Sequence, residues 1–153
     1  MVKTRVNGEM VNVPLRLKVR FDYRGVAKSK GLFFGGKNVE QVAEEVREHK
    51  AALLRNVPVQ GIYIEDIDTS SEVYTVMDEA TGGLVAYAPV LVTIKAEVIE
   101  DVVRFIMRDE FRKVEVLEPD QVILSRVDVE RFLFRMNEEL RSYRQILERK
   151  LKE

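Results

Sequence analysis

The sequence predicts an α+β fold, with a mainly antiparallel sheet, two packed helices and a long C-terminal amphipathic helix. Residues 11–23 alternate between apolar and polar side chains, which is typical of a strand with one buried face. Apolar residues recur at helical spacing over 38–55 and again over 126–152. The inferred order β–α–β–β–β–α–β–α is compatible with a ferredoxin-like arrangement plus one added strand.

The first long strand has the clearest pattern in the chain. Every odd position in it is apolar: Val11, Val13, Leu15, Leu17, Val19, Phe21 and Tyr23. Pro14 has no N–H to donate, so we expect the early part of this strand to lie at a sheet edge or a bulge. Residues 2–6 are predicted to form a companion strand that turns back through Asn7-Gly8, a favoured hairpin dipeptide.

Capping signals and β-branched residues predict the other elements. Asn38 is expected to cap the helix over 38–55, because Gln41 stands at the capping-box position. Ser125 or Asp128 is expected to cap the last helix. Between these two helices we expect strands over 59–68, 72–78, 84–96 and 113–117, a hairpin loop over 80–83 and a short helix over 99–108.

Composition limits the chemistry that this chain can perform. The 153 residues include no cysteine and one histidine, His49, which excludes disulfides, thiol catalysis and the common zinc sites. We therefore expect no cofactor and no metal site. No apolar run is long enough to span a membrane, and residues 1–5 lack the apolar core of a signal peptide. We expect a cytoplasmic α+β domain over 1–125, followed by a helix over 126–153 for packing or oligomerisation.

Positive charge is concentrated at the N-terminal end of the sequence. Residues 1–37 contain nine basic and two acidic side chains, whereas the remaining residues contain sixteen basic and twenty-four acidic ones. A basic stripe is expected along the polar face of the first long strand and the loop after it: Arg16, Lys18, Arg20, Arg24, Lys28, Lys30 and Lys37. Such a stripe could bind a polyanion, most simply nucleic acid. The alternatives are a solvated sheet face, or pairing with the acidic surface of a neighbouring subunit.

Two further segments have the spacing of ligand sites. Residues 31–38 match the spacing of a phosphate-binding P-loop, except that Asn38 replaces the magnesium-binding Ser or Thr. Asp66 and Asp68 follow a predicted strand, where alternate carboxylates could bind a hard cation. Together they form the enzyme hypothesis, in which Lys37 and the helix N-terminus hold a phosphate-bearing substrate. A local turn made by Asp68 and its serines is the simpler interpretation.

The last helix has an apolar stripe with the 4-3-4-3-4 spacing of a coiled coil: Val129, Leu133, Met136, Leu140, Tyr143 and Leu147. This stripe favours self-association between chains, although packing on the protein's own sheet is the alternative. Phe134 lies on the opposite side of the helix and needs a second burial partner. In the preceding helix, Arg104 and Arg108 are expected to pair with nearby acidic residues of the same helix.

The sequence therefore favours a non-catalytic binding or assembly protein. The leading hypothesis is a basic surface that docks nucleic acid or another polyanion. The first alternative is a purely structural homo-oligomer whose subunits meet through complementary charge. The second is a small enzyme or sensor that binds a phosphate-bearing ligand at the 31–38 loop. We expect self-association and no membrane partner.

Overall fold

The computed structural model describes residues 1–27 and 38–152, so most of the 31–38 loop lies outside the described residues. The described chain forms seven strands and three helices: β1 (Val2–Val6), β2 (Glu9–Val13), β3 (Leu15–Gly25), α1 (Val39–Asn56), β4 (Ile62–Asp68), β5 (Tyr74–Met77), β6 (Leu84–Ala96), α2 (Ile99–Ile106), β7 (Phe111–Glu118) and α3 (Arg126–Lys152). These elements confirm the α+β class. No helix of this part is long and apolar enough to cross a membrane.

The main sheet is antiparallel and has the strand order β4-β6-β3-β7. Strand β6 pairs with β3 along one edge, and with β4 and then β5 along the other. The connectivity β3–α1–β4–β6–α2–β7 agrees with the ferredoxin-like arrangement that the sequence allowed, with β5 as the added strand. Strands β3 and β6 are therefore central, which explains their long apolar patterns.

Strand β3 supplies one wall of the core. Its odd-numbered side chains are at most 3% exposed and pack against alternate residues of β6. Helices α1 and α2 cover this face, α1 through side chains such as Ala51 and Leu54, and α2 through Phe105. At the end of β3, a Cβ on Gly25 would come within 2.3 Å of the backbone nitrogen of Ala43, so only glycine fits this approach to α1.

The structure divides the strand predicted over 11–23 into two. Strand β2 ends at Val13, and β3 begins at Leu15 after Pro14. Strand β2 turns away to pair with β1 in a separate two-stranded sheet. The turn between β1 and β2 places Asn7 and Gly8 at φ +52° and +84°, as the Asn-Gly signal predicts. The break follows from the missing N–H of Pro14, which a continuous ladder would need.

Both predicted helix caps are present. The side chain of Asn38 accepts a hydrogen bond from the backbone N–H of Gln41 at 2.8 Å, and the Gln41 side chain accepts one from the backbone of Asn38. Ser125 and Asp128 form the same reciprocal arrangement at the start of α3. These bonds satisfy N–H groups that a helix start leaves unpaired, and they fix where each helix begins.

Candidate functional site

The sheet face opposite α1 and α2, called here the outer face, contains the described part of the basic stripe. Arg16, Lys18, Arg20 and Arg24 lie at alternate positions of β3 and project to this face. Lys28, Lys30 and Lys37 lie outside the described residues. The structure thus brings four of the seven predicted cations into one row, on a central strand.

Three of these four cations, Arg16, Arg20 and Arg24, are paired with carboxylates of the same chain. The Nε of Arg16 lies 3.0 Å from Glu65 of β4, and its Nη1 lies 3.8 Å from Glu118 of β7. Arg24 lies 3.2 Å from Asp78, just after β5. The partners of Arg16 and Arg24 come from the acidic remainder of the chain and neutralise much of the stripe within one molecule. They weaken the polyanion hypothesis, which needs free cations.

A buried carboxylate lies on the outer face, near the end of β3. Asp22 is 2% exposed and accepts hydrogen bonds from Nε and Nη2 of Arg20 at 2.8 and 3.1 Å and from the Tyr74 hydroxyl at 2.5 Å. The guanidinium of Arg112 lies 3.8 Å away. Two guanidiniums therefore share one carboxylate, which leaves one positive charge in excess at this point.

Two tyrosines extend this charged cluster. The rings of Tyr74 and Tyr87 are stacked with centroids 5.4 Å apart, and the guanidinium of Arg112 lies 5.4 Å from the Tyr87 centroid. Burial raises the pKa of Tyr74, and its hydrogen bond to Asp22 raises that pKa further. A stacked aromatic pair beside excess positive charge can hold a planar anionic ligand.

Of the residues of the enzyme hypothesis, Asp68 takes part in a local turn, and Lys37 lies outside the described residues. Oδ1 of Asp68 accepts hydrogen bonds from the hydroxyl and backbone N–H of Ser70, at 2.5 and 2.8 Å. The bond from the Ser70 hydroxyl is the main reason that the pKa of Asp68 is lowered. Within 1–27 and 38–152, no three acidic or histidine side chains are grouped to hold a metal ion. The simpler interpretation, a local turn, accounts for Asp68.

Helix α3 contacts the rest of the chain through one narrow face. Arg104 of α2 donates to Glu139 of α3 at 2.9 Å, and the Tyr143 hydroxyl donates to Asp109. This corrects the expected pairing of Arg104 with acids of its own helix, and Arg108 lies instead over the rings of Phe21 and Phe105. The bonded tyrosine shows that position 143 faces the protein's own domain.

The apolar stripe of α3 lies to one side of that contact and is exposed. No residue of α3 is buried, and Leu133, Leu140 and Leu151 are 59%, 60% and 87% exposed. The exposed stripe consists of Val129, Leu133, Met136, Leu140, Leu147 and Leu151. It differs from the predicted set by losing Tyr143 to the domain contact and by extending to Leu151. Phe134, on another face of α3, is also exposed.

A cavity that sequence analysis missed lies between the end of α1 and the end of β3. Its volume is about 180 Å³, and Leu53, Leu54, Val57 and Val59 form its apolar walls. Tyr23 lines it and is only 2% exposed, yet its hydroxyl has no hydrogen-bond partner in the structure. Burial raises the pKa of Tyr23 to about 12, although the nearby Arg108 guanidinium acts to lower it, so at neutral pH the hydroxyl keeps its proton and can donate.

Two cations line the same cavity. Arg108 and Lys50 complete its lining, and neither forms an ion pair with any described carboxylate. Contacts of the guanidinium with Phe21 and Phe105, at 5.5 and 5.1 Å from the ring centroids, hold Arg108 in place. The C-terminal end of α1 contributes about half a negative charge and the nearby Glu110 carboxylate one more, which together are still less than the two full positive charges.

Comparison with known proteins does not assign any of these sites. No family model, no curated protein and no solved structure matches the chain. Function is therefore inferred from the geometry alone.

Proposed function

We propose that the protein is a non-catalytic assembly module that forms a homodimer through α3. One observation carries the proposal: a helix of 27 residues has no buried side chain, while its apolar residues line up at coiled-coil spacing. An isolated helix of this kind gains little stability in water unless its apolar face is covered. We also propose a cytoplasmic location, on the composition alone.

A second copy of the chain fits this stripe. The stripe runs from Val129 to Leu151 with its midpoint at Leu140, so a two-fold axis there makes it self-complementary. Residues 126–139 contain four acidic and three basic side chains, whereas 140–152 contain five basic and one acidic. An antiparallel pair places the basic C-terminal half of one helix beside the slightly acidic N-terminal half of the other. A parallel pair would bring the two basic halves together.

Cysteine cross-linking tests both the pairing and its direction, because the natural chain has no cysteine. In an antiparallel pair centred on Leu140, position 133 of one copy faces position 147 of the other. Mixed Leu133→Cys and Leu147→Cys proteins should form disulfide-linked dimers on oxidation, and neither variant alone should. Gln145→Cys, on the far side of α3, is the control that should not cross-link. Rapid linking of each variant to itself would show a parallel pair, and no linking would refute dimerisation through α3.

As a second function, we propose that the outer face holds single-stranded nucleic acid. The stacked Tyr74 and Tyr87 and the excess positive charge at Asp22 support this proposal, since bases stack on aromatic rings beside cations. A labelled oligonucleotide should bind at low salt, and its affinity should fall steeply as salt rises. Arg16→Glu combined with Arg20→Glu should weaken that binding, while Arg144→Glu on α3 should not. No binding at low salt would exclude the proposal.

A further inference from the structure

The cavity at the end of β3 has apolar walls and polar groups at its bottom. Tyr23 is the last odd-numbered residue of β3 that has a side chain, since only Gly25 follows it on this face, and the pairing with β7 ends at Phe21. Tyr23 lines the space beneath the end of α1, and its hydroxyl oxygen is buried. Leu54 is buried beside it, whereas Leu53 and Val57 are partly exposed and form the rim. The cavity is thus closed at the bottom and open toward solvent.

The Tyr23 hydroxyl at the bottom of the cavity lacks a hydrogen-bond acceptor. A buried hydroxyl without a hydrogen-bond partner is unfavourable, and native proteins satisfy nearly all such groups. Neither neighbouring cation can supply the acceptor, because guanidinium and ammonium groups only donate. The one group that satisfies the Tyr23 hydroxyl, Arg108 and Lys50 together is an anion with oxygen acceptors.

We propose that this cavity binds a small organic carboxylate whose apolar part lies against the α1 walls and whose carboxylate meets Tyr23, Arg108 and Lys50. A volume of about 180 Å³ limits the ligand to about the size of a single-ring compound. The four aliphatic walls favour an apolar ring or a branched chain. The site is separate from the α3 stripe, so it does not depend on the proposed dimer.

Calorimetric titration with three probes tests the proposal: benzoate, its neutral analogue benzamide, and acetate, which has the charge without the apolar body. Benzoate should bind with one site per chain, and benzamide and acetate should each bind at least about tenfold more weakly. Equal affinity for benzoate and benzamide would show that Arg108 and Lys50 do not bind the carboxylate, and the proposal would fail. Failure of benzoate to bind at millimolar concentration would overturn the site.

Variants locate the binding. Tyr23→Phe keeps the ring and should weaken benzoate binding by roughly tenfold, the loss expected for a hydrogen bond to a charged group. Lys50→Gln should weaken it less, and Lys113→Gln, on β7 and away from the cavity, should not change it. In the ligand-free protein, Tyr23→Phe should not lower the melting temperature, because the hydroxyl has no partner to lose. A clear drop would mean that the hydroxyl is already satisfied, and the proposal would fail.

Discussion

Strand β3 and helix α3 both have regular apolar spacing, but the fold treats them in opposite ways. The apolar side chains of β3 are at most 3% exposed, because α1 and α2 cover that face of the sheet. No residue of α3 is buried, since the described hydrogen bonds of α3 to the domain come from one side of the helix, through Glu139 to α2 and Tyr143 to Asp109. The same kind of apolar pattern is therefore buried in the core in β3 and remains exposed, and available to another molecule, in α3.

The largest expected difference between the two elements is in folding stability. Phe21→Ala removes a fully buried ring that packs against Phe105, and it should lower the free energy of unfolding by about 3–5 kcal/mol. Phe134→Ala removes an exposed ring from α3 and should change it by less than about 0.5 kcal/mol at concentrations where the protein is monomeric. Denaturant unfolding measures both. A large loss for Phe134→Ala would mean that α3 is part of the core.

The next effect concerns association. Leu140→Asp places a charge at the middle of the exposed stripe and should weaken the dimer by about 2 kcal/mol or more, since a charge in an apolar interface has no partner. Gln145→Asp adds the same charge on the far side of α3 and should leave the dimer intact. Light scattering on a sizing column distinguishes the two variants. Equal masses for both would contradict the stripe as the interface.

The smallest effect is a pH dependence confined to the start of α3. Hydrogen bonds from the backbone and hydroxyl of Ser125 lower the pKa of Asp128 below its ordinary value of 3.8. A carboxyl group with a depressed folded-state pKa stabilises the fold above its unfolded pKa, and that stability is lost as pH falls through the folded value. The amide protection factors in the first turn of α3 should therefore fall below about pH 4, while those of β3 stay high.

Replacement of Asp128 provides the control. Asp128→Asn removes the titrating group, so exchange in that turn should lose its acid dependence. An unchanged acid response in Asp128→Asn would mean that another group controls the helix start.

Local signals predicted most of the fold. The alternation in β3, the caps at Asn38 and Ser125, and the turn at Asn7-Gly8 are each set within a few residues, and all are present in the structure. The start of β4 was predicted three residues early, at position 59. Gly61 has a φ of +75° and the N–H of Ile62 bonds the carbonyl of Val59, so a tight turn occupies that stretch.

Long-range contacts were beyond prediction from one sequence. The carboxylate that neutralises Arg16 lies 49 residues away in the chain, at Glu65, and that pairing depends on the strand order. Tyr23 has the position of an ordinary core residue, and its unpaired hydroxyl depends on which residues the fold packs around it. Tyr143 fits the coiled-coil spacing, but its hydroxyl donates a hydrogen bond to Asp109, so it faces the protein's own domain. The site chemistry thus depends on tertiary placement more than on residue type.

Sedimentation equilibrium of the unaltered protein over a dilution series shows whether α3 joins two copies of this chain. The apparent mass should rise from 17.7 kDa toward twice that value as concentration increases. A mass that stays at 17.7 kDa at every concentration would contradict dimerisation through α3.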